Sequence, residues 1–352
     1  MSETASQSLI YGAYGYTGEL VARNAVESGQ EPILAGRREQ PLRSLARELD
    51  CEYRAFGLDD PVAPQLRDID VVAHCAGPFV DTYRPMVDAC LATETHYLDI
   101  TGEIPVFEAI KAYDELAKDA GVMLLPGGGF DVVPSDCLAA HLHNRLPDAT
   151  DLTLAFNVGG MEASAGTMKT MVEGLGDGSA VRENGRIVSV PLGGRTKTLD
   201  TGRGPHTFMA FPWGDVSTSH HTTGIPNMGV YVPVSDNSLK LLKAANALSP
   251  VLSAAPVKRA LRWVVDRAVD GPDEDTRESG SASFWGEATD GTDTVRARVE
   301  TPESYRFTAA SMVELLARVQ SGDVHPGYQT PASAYGEEFV LAIEGCTIED
   351  IE

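Results

Sequence analysis

The feature that most constrains this chain lies near its start. A short apolar run, Leu9–Tyr11, enters Gly12-Ala-Tyr-Gly15-Tyr-Thr-Gly18, and a helical pattern, Gly18–Glu27, follows. A strand, a tight glycine turn and a helix in that order form a unit with few uses. The first glycine permits the tight turn, the second removes a side chain where a ligand must approach, and the third lets helix and strand pack closely. Amides at the helix start then face an anion. The spacing is GxxGxxG in place of GxGxxG, with the glycines at the same place in the unit. We read Gly12, Tyr14, Gly15, Tyr16, Thr17 and Gly18 as the seat of a dinucleotide. The alternative is a glycine turn that holds no ligand.

The pattern continues from residue 8 to about 125. Strand candidates are Leu9–Tyr11, Pro32–Ala35, Glu52–Phe56, Asp70–His74, His96–Leu98 and Val122–Leu125. Helical patterns fall at Gly18–Glu27, Leu42–Leu49, Arg84–Leu91 and Pro105–Lys118, with a weak one near Asp60–Arg67. Strands alternating with helices imply a parallel, doubly wound sheet of the Rossmann type, with default order 3-2-1-4-5-6. The fold class expected is α/β, with this domain at residues 1–126.

The second strand selects the cofactor. An NAD site ends this strand with a carboxylate for the ribose 2′-hydroxyl. Here it ends Ala35-Gly36-Arg37-Arg38. Two guanidinium groups suit a phosphate and predict NADP(H). The plainer reading, two cations opening a helix, runs against the helix dipole. After the third strand, Leu58 and Asp59 could cover the adenine, or Asp59 could cap the next short helix. After the fourth, Ala76, Gly77, Pro78 and Phe79 form a turn at the carboxyl edge, expected on the nicotinamide side. His74 reads as a packed strand residue.

The rhythm breaks at Pro126-Gly-Gly-Gly129. Beyond it, period-2 alternation at Asp151–Val158, Arg186–Val190, Asn227–Val232, Ser281–Thr289 and Asp293–Val299 predicts antiparallel strands wetted on one face. Helical patterns fall at Ser135–Asn144, Gly166–Glu173, Leu239–Leu248, Val257–Val269 and Ser304–Val319, and Ala268–Gly280 reads as a loop. Residues 127–326 are therefore expected to form an α+β domain with a mixed or antiparallel sheet. In the tail, 327–352, Thr330 and Pro331 open a helix expected to end near Gly345.

The 352 residues carry a net charge of −23, from 51 acidic and 28 basic side chains. That imbalance disfavours nucleic acid and anionic membranes as partners, and a peripheral membrane contact has no support. Spread along the chain, it suits a high-salt cytoplasm or simply an acidic enzyme. The five cysteines are an odd number without a CxxC. A reducing cytoplasm fits, and no metal site is expected. No signal peptide or membrane-spanning run is evident.

Five segments occur in order: Tyr11–Gly18, Ala35–Arg38, Cys75–Phe79, Tyr97-Leu-Asp-Ile-Thr-Gly-Glu103 and Gly128-Gly-Phe-Asp-Val-Val-Pro-Ser-Asp136. Weaker echoes continue at Gly214–Ser217, Thr223–Pro226 and Thr330–Gly336. Together they resemble the saccharopine dehydrogenase-like NADP-binding oxidoreductases, nearest the trans-acting enoyl reductase branch. The resemblance implies NADP(H), a second domain whose sheet helps form a homodimer, and a C-terminal segment returning to the Rossmann domain. At His74 that family more often carries Asn.

Chemistry is expected where the nicotinamide meets the second domain. Asp131 could contact substrate or cap a helix, and Ser135 is better explained as a cap. Asp99 could reach the same place or stabilise a turn. His221, beside His220, is the candidate proton donor, against a solvated loop pair; Lys169 could bind a substrate carboxylate or lie on a helix surface. No hydrolase or metal signature emerges. The resemblance implies NADP(H)-dependent hydride transfer to a C=C or C=N bond of a small substrate, with a lipid or isoprenoid among the candidates. The alternative is a non-catalytic NADP(H)-binding sensor or scaffold.

Overall fold

The computed structural model describes residues 6–158, 178–202, 204–245, 254, 256–257, 259, 263–264 and 280–352. They fall into two compact units, residues 1–133 with 304–335 and residues 134–303 with 336–352.

The first unit opens as an alternating run: β1 (Ser8–Tyr11), α1 (Tyr16–Glu27), β2 (Ile33–Gly36), α2 (Glu39–Leu49), β3 (Tyr53–Ala55), β4 (Val71–His74), α3 (Phe79–Thr93), β5 (His96–Asp99), α4 (Ile104–Lys111), α5 (Asp114–Asp119) and β6 (Met123–Leu125). The strands pair in parallel in the order 3-2-1-4-5-6, as expected. Every residue of β1, β2 and β4 is buried, the mark of parallel strands covered on both faces. Two helices differ from the sequence reading. The third begins at Phe79 and not at Arg84, because Glu103 caps its first amides. The stretch expected as one helix over Pro105–Lys118 is two, α4 and α5.

The second unit starts with α6 (Val133–Arg145), followed by β7 (Asp151–Val158), β8 (Ser179–Glu183), β9 (Arg186–Val190), β10 (Thr196–Asp200), β11 (Pro205–Ala210), α7 (Asp215–Thr223), β12 (Asn227–Pro233), α8 (Asp236–Ala245), β13 (Ser281–Thr289) and β14 (Thr294–Pro302). The sheet is mixed. β7 pairs in parallel with β12 and antiparallel with β13, and the remaining pairings are antiparallel. Helix α6 lies close on this sheet at Gly286, where a β-carbon would come 2.6 Å from Leu142 Cδ1. Strands β8, β10 and β11 were not among the sequence-based elements. The stretch Gly166–Glu173 lies outside the described residues, as do most of Val257–Val269 and Ala268–Gly280.

The chain then returns. α9 (Ser304–Gln320) packs beside α1, with the Tyr16 and Tyr305 rings edge to face at 4.9 Å and Gln30 Nε2 donating to Val313 O at 3.1 Å. Its Phe307, Met312, Leu315 and Leu316 are fully buried. β15 (Gly327–Tyr328) then adds a seventh strand beside β6. Thr330 Oγ1 accepts the Ser333 amide at 3.1 Å and caps α10 (Pro331–Tyr335). That helix stops at Gly336, whose φ of 78° is left-handed, instead of running towards Gly345. A short 3-10 turn, Glu337–Ala342, leads to β16 (Thr347–Ile351), which pairs with β14. His141 Nε2 and Arg145 on α6 meet Asp350 at 2.8 and 2.7 Å.

The units therefore divide the chain differently from the expected 1–126, 127–326 and 327–352. Helix α9, assigned from sequence to the second domain, covers the first sheet because its apolar stripe faces α1. Of the tail, only Gly327–Tyr335 joins the first unit, while β16 completes the second sheet.

Candidate active site

The glycine turn is closed by its own backbone. Gly12 N–H donates to Ala35 O at 2.8 Å, and Gly15 N–H to Gly12 O at 2.9 Å. Gly12 has φ +85°, and a β-carbon there would come within 3.0 Å of Ala76 Cβ and Cys75 C. At Gly18 a β-carbon would stand 2.2 Å from Gly12 O, so helix α1 can sit this close to the turn only with glycine. Gly15 caps α1 without any side chain over the first amides.

Arg37 and Arg38 follow β2 and are both exposed. Among the described residues neither forms a salt bridge, although the chain holds 51 carboxylates. Arg38 instead lies over Tyr14, its Cζ 4.7 Å from the ring centroid.

The turn after β3 keeps Leu58 half-buried and Asp59 exposed. The Gly57 amide donates to Asp60 Oδ2 at 3.1 Å, so the neighbouring carboxylate closes this turn. The following 3-10 turn, Ala63–Gln65, has no side-chain cap, which removes the capping role considered for Asp59.

After β4 the loop Cys75–Phe79 contains a cis Gly77–Pro78 peptide. Two clamps hold it. Glu103 accepts the Phe79 and Val80 amides at 2.8 and 2.9 Å, one on each oxygen. Thr82 Oγ1 donates to Ala76 O at 2.7 Å, which spends its only hydrogen. His74 Nε2, 3.1 Å from that hydroxyl, must therefore be the protonated ring nitrogen, with Nδ1 bare. Burial pushes the His74 pKa down to about 3, so the ring is neutral. It packs against Tyr11, Phe79 and Tyr97, which is the packing role expected of it.

Asp99 is fully buried at the end of β5. Its Oδ1 accepts the Thr101 and Gly127 amides at 2.9 Å each, and its Oδ2 accepts the Tyr97 hydroxyl at 2.7 Å. Burial outweighs these bonds and raises its pKa to about 7. Of its two sequence readings, the turn-stabilising one describes this arrangement. The glycine run that follows is a packing device. A β-carbon on Gly128 would meet Leu315 Cδ1 at 2.6 Å, and Ser311 Oγ donates to Gly128 O at 2.9 Å. The run lets α9 approach.

Asp131 comes next, with its carboxyl over the bare Cα of Gly102, where a β-carbon would be 2.7 Å from Oδ2. It keeps some exposure, and burial on its protein side pushes its pKa up to about 6. Ser135 is fully buried in the first turn of α6, past the N-cap position expected for it. In the second unit, His220 and His221 lie on helix α7, not on a loop. The pattern there is Ser/Thr-rich and apolar residues are few, so no helical period showed. His220 Nδ1 is 2.9 Å from Ile225 O. Lys169 lies outside the described residues.

Sequence reasoning missed three contacts: Glu103 on the α3 amides, Tyr14 under Arg38, and the buried Asp136 accepting Thr222 Oγ1 at 2.6 Å. Only Glu103 had a signal, as a carboxylate in the turn after β5, beside the turn after β4 in a parallel sheet.

Residues 8–125 match the model of the saccharopine dehydrogenase NADP binding domain. The chain is 25% identical to the trans-acting enoyl reductase of Mycobacterium tuberculosis, over 97% of this chain and 96% of that protein. It is 28% identical to the saccharopine dehydrogenase-like oxidoreductase of Mus musculus, over 50% of this chain and 47% of that protein. Among solved structures, apo saccharopine dehydrogenase (L-Glu forming) from Saccharomyces cerevisiae has the same fold. It superposes with a TM-score of 0.63 at 12% identity, covering 99% of this chain and 100% of that one. Residues 8–125 thus match a saccharopine dehydrogenase NADP-binding domain, and the chain is an NADP-binding oxidoreductase similar along its length to the trans-acting enoyl reductases.

Proposed function

We propose that this oxidoreductase reduces a carbon–carbon double bond conjugated to a carbonyl, in a small apolar substrate of lipid or isoprenoid type. The observation that carries this reading is the end-to-end similarity to the trans-acting enoyl reductases. Reduction of a C=N bond is the second reading, favoured by the fold shared with a saccharopine dehydrogenase.

The residues present fit NADP(H). Gly15 leaves the start of α1 free of a side chain where a pyrophosphate would approach, and no side chain caps the first α1 amides. Arg37 and Arg38, exposed and without carboxylate partners among the described residues, would take the 2′-phosphate. Leu58 and Asp59 would border the adenine, and Ala76, Gly77, Pro78 and Phe79 the nicotinamide. When bound, the reduced cofactor supplies the hydride.

Asp131 is the residue we assign to the proton. A carboxyl with a pKa near 6 carries a proton in a useful fraction of molecules near neutral pH. It would deliver that proton to the α-carbon of the enolate formed when hydride reaches the β-carbon. His221, on α7, is the alternative donor. Purified protein supplied with NADPH deuterated at C4 and α,β-unsaturated acyl or isoprenoid compounds should place deuterium at the β-carbon. Asp131→Asn should lower turnover by about 10²–10⁴-fold and leave NADPH affinity unchanged. Deuterium delivered only to imines would move the assignment to C=N reduction.

We further propose a cytoplasmic homodimer. No helix among the described residues is long and apolar enough to cross a membrane. Sedimentation equilibrium should return twice the chain mass of 37.6 kDa; a single-chain mass would refute the dimer.

A further inference from the structure

Arg38 is held in two ways by one side chain. Its backbone N–H donates to the Tyr14 hydroxyl at 3.2 Å, and its guanidinium lies over the same ring, Cζ 4.7 Å from the centroid. The ring in turn rests on Gly36. A β-carbon at Gly36 would stand 2.6 Å from Tyr14 Cε1 and 3.3 Å from Cδ1 and Cζ. The φ of Gly36 is not left-handed, so glycine is needed there for space alone. Residue 14 of the glycine turn and residues 36 and 38 after β2 therefore make one assembly.

From this we infer that Tyr14 is a specificity-determining residue, a platform that holds the Arg38 guanidinium ready for the 2′-phosphate and so sets the preference for NADP(H) over NAD(H). The inference rests on the reading above that Arg38 meets that phosphate. An exposed arginine has many rotamers, and fixing one on binding costs entropy that lowers affinity. A guanidinium stacked on a ring has lost much of that freedom beforehand. The ring meets the guanidinium from one side, so the N–H groups turned away from it stay available for a phosphate contact. The hydroxyl contact fixes the backbone from which the side chain springs. NAD(H) has no group for Arg38 to grip, so the platform is silent towards it.

The test is equilibrium titration of the full chain with NADPH and with NADH, followed by calorimetry. Tyr14→Leu should weaken NADPH about three- to fivefold, the worth of one exposed cation–π contact, and leave NADH unchanged. Tyr14→Phe, which keeps the ring, should lose less. Gly36→Ala, whose new methyl displaces the ring, should reproduce the selective loss. In an Arg38→Ala background, Tyr14→Leu should have no further effect. Equal weakening of both nucleotides by Tyr14→Leu, or full additivity with Arg38→Ala, would overturn the platform. If Arg38→Ala itself leaves the NADPH-to-NADH ratio unchanged, the 2′-phosphate reading fails first. Unchanged NADH affinity in each variant also reports that the domain is folded.

Discussion

The two sheets of this protein are built under opposite constraints. The first is parallel throughout and buried on both faces, so its strands read as unbroken apolar runs, Leu-Ile-Tyr in β1 and Val-Val-Ala in β4. The second is mixed, and strands such as β9 and β10 bury little. In the first sheet, β1 to β6 find their neighbours within about 65 residues, and only β15 returns from far along the chain. In the second, β7 has neighbours about 75 and 130 residues further on, at β12 and β13. A parallel sheet with helical crossovers leaves a local trace in sequence, whereas long-range pairing of half-exposed strands does not.

The sharpest way to test this contrast is to damage one unit at a time. Phe307 on α9 and Phe284 on β13 are both almost fully buried, the first in unit 1 and the second in unit 2. Phe307→Ala should cost about 3–5 kcal/mol and Phe284→Ala a similar amount. Only Phe307→Ala should lower the melting transition that NADPH stabilises, as seen by calorimetry with and without nucleotide. If both variants shift one common transition equally, the units are not thermodynamically separate.

A smaller loss of stability, about 1–3 kcal/mol, is expected for Gly18→Ala, whose methyl would press on the Gly12 carbonyl. Its effect on NADPH binding should be larger than its effect on folding, because the turn itself must open. Retained affinity, measured by fluorescence titration, would mean that the turn adapts more freely than a closed backbone ring should.

The mildest perturbation is pH. His74 has a pKa pushed down to about 3, so the unfolded chain takes up a proton below about 6.5 that the folded one refuses. That residue removes stability as pH falls from about 6.5, with a slope near 1.4 kcal/mol per pH unit. Asp99 and Asp131 act in the opposite sense. Their raised pKa values, about 7 and 6, add stability below the unfolded carboxyl pKa and lose it as pH rises through those values. Between pH 4 and 6.5 the contributions oppose each other. Urea titrations should show His74→Asn gaining stability relative to the parent as pH falls through this window, and Asp99→Asn losing it. Parallel curves for parent and variants would show that these groups do not govern the acid limb.

How much was legible follows the same division. Gly12–Gly18 and the six alternating strands could be read because each glycine and each apolar run answers a local demand. Asp131 could be singled out, since it follows a glycine run at the end of a strand, but its seat over Gly102 depends on two turns 29 residues apart. Tyr14 under Arg38 was illegible for a related reason. Tyrosine in a glycine turn carries no pattern until β1 and β2 lie side by side. Helix α9 was readable as a helix, but nothing local says which sheet its stripe of Phe307, Met312 and Leu316 will cover.

That helix bears on the order in which the protein is made. The first unit is closed by α9 and β15, which emerge only after the whole of Pro134–Glu303 has been translated. About 170 residues at ribosomal speed take on the order of ten seconds or more. During that interval the nascent sheet lacks the helix that packs against α1, and the β6 edge stands unpaired. An uncovered parallel edge is a template for the wrong strand.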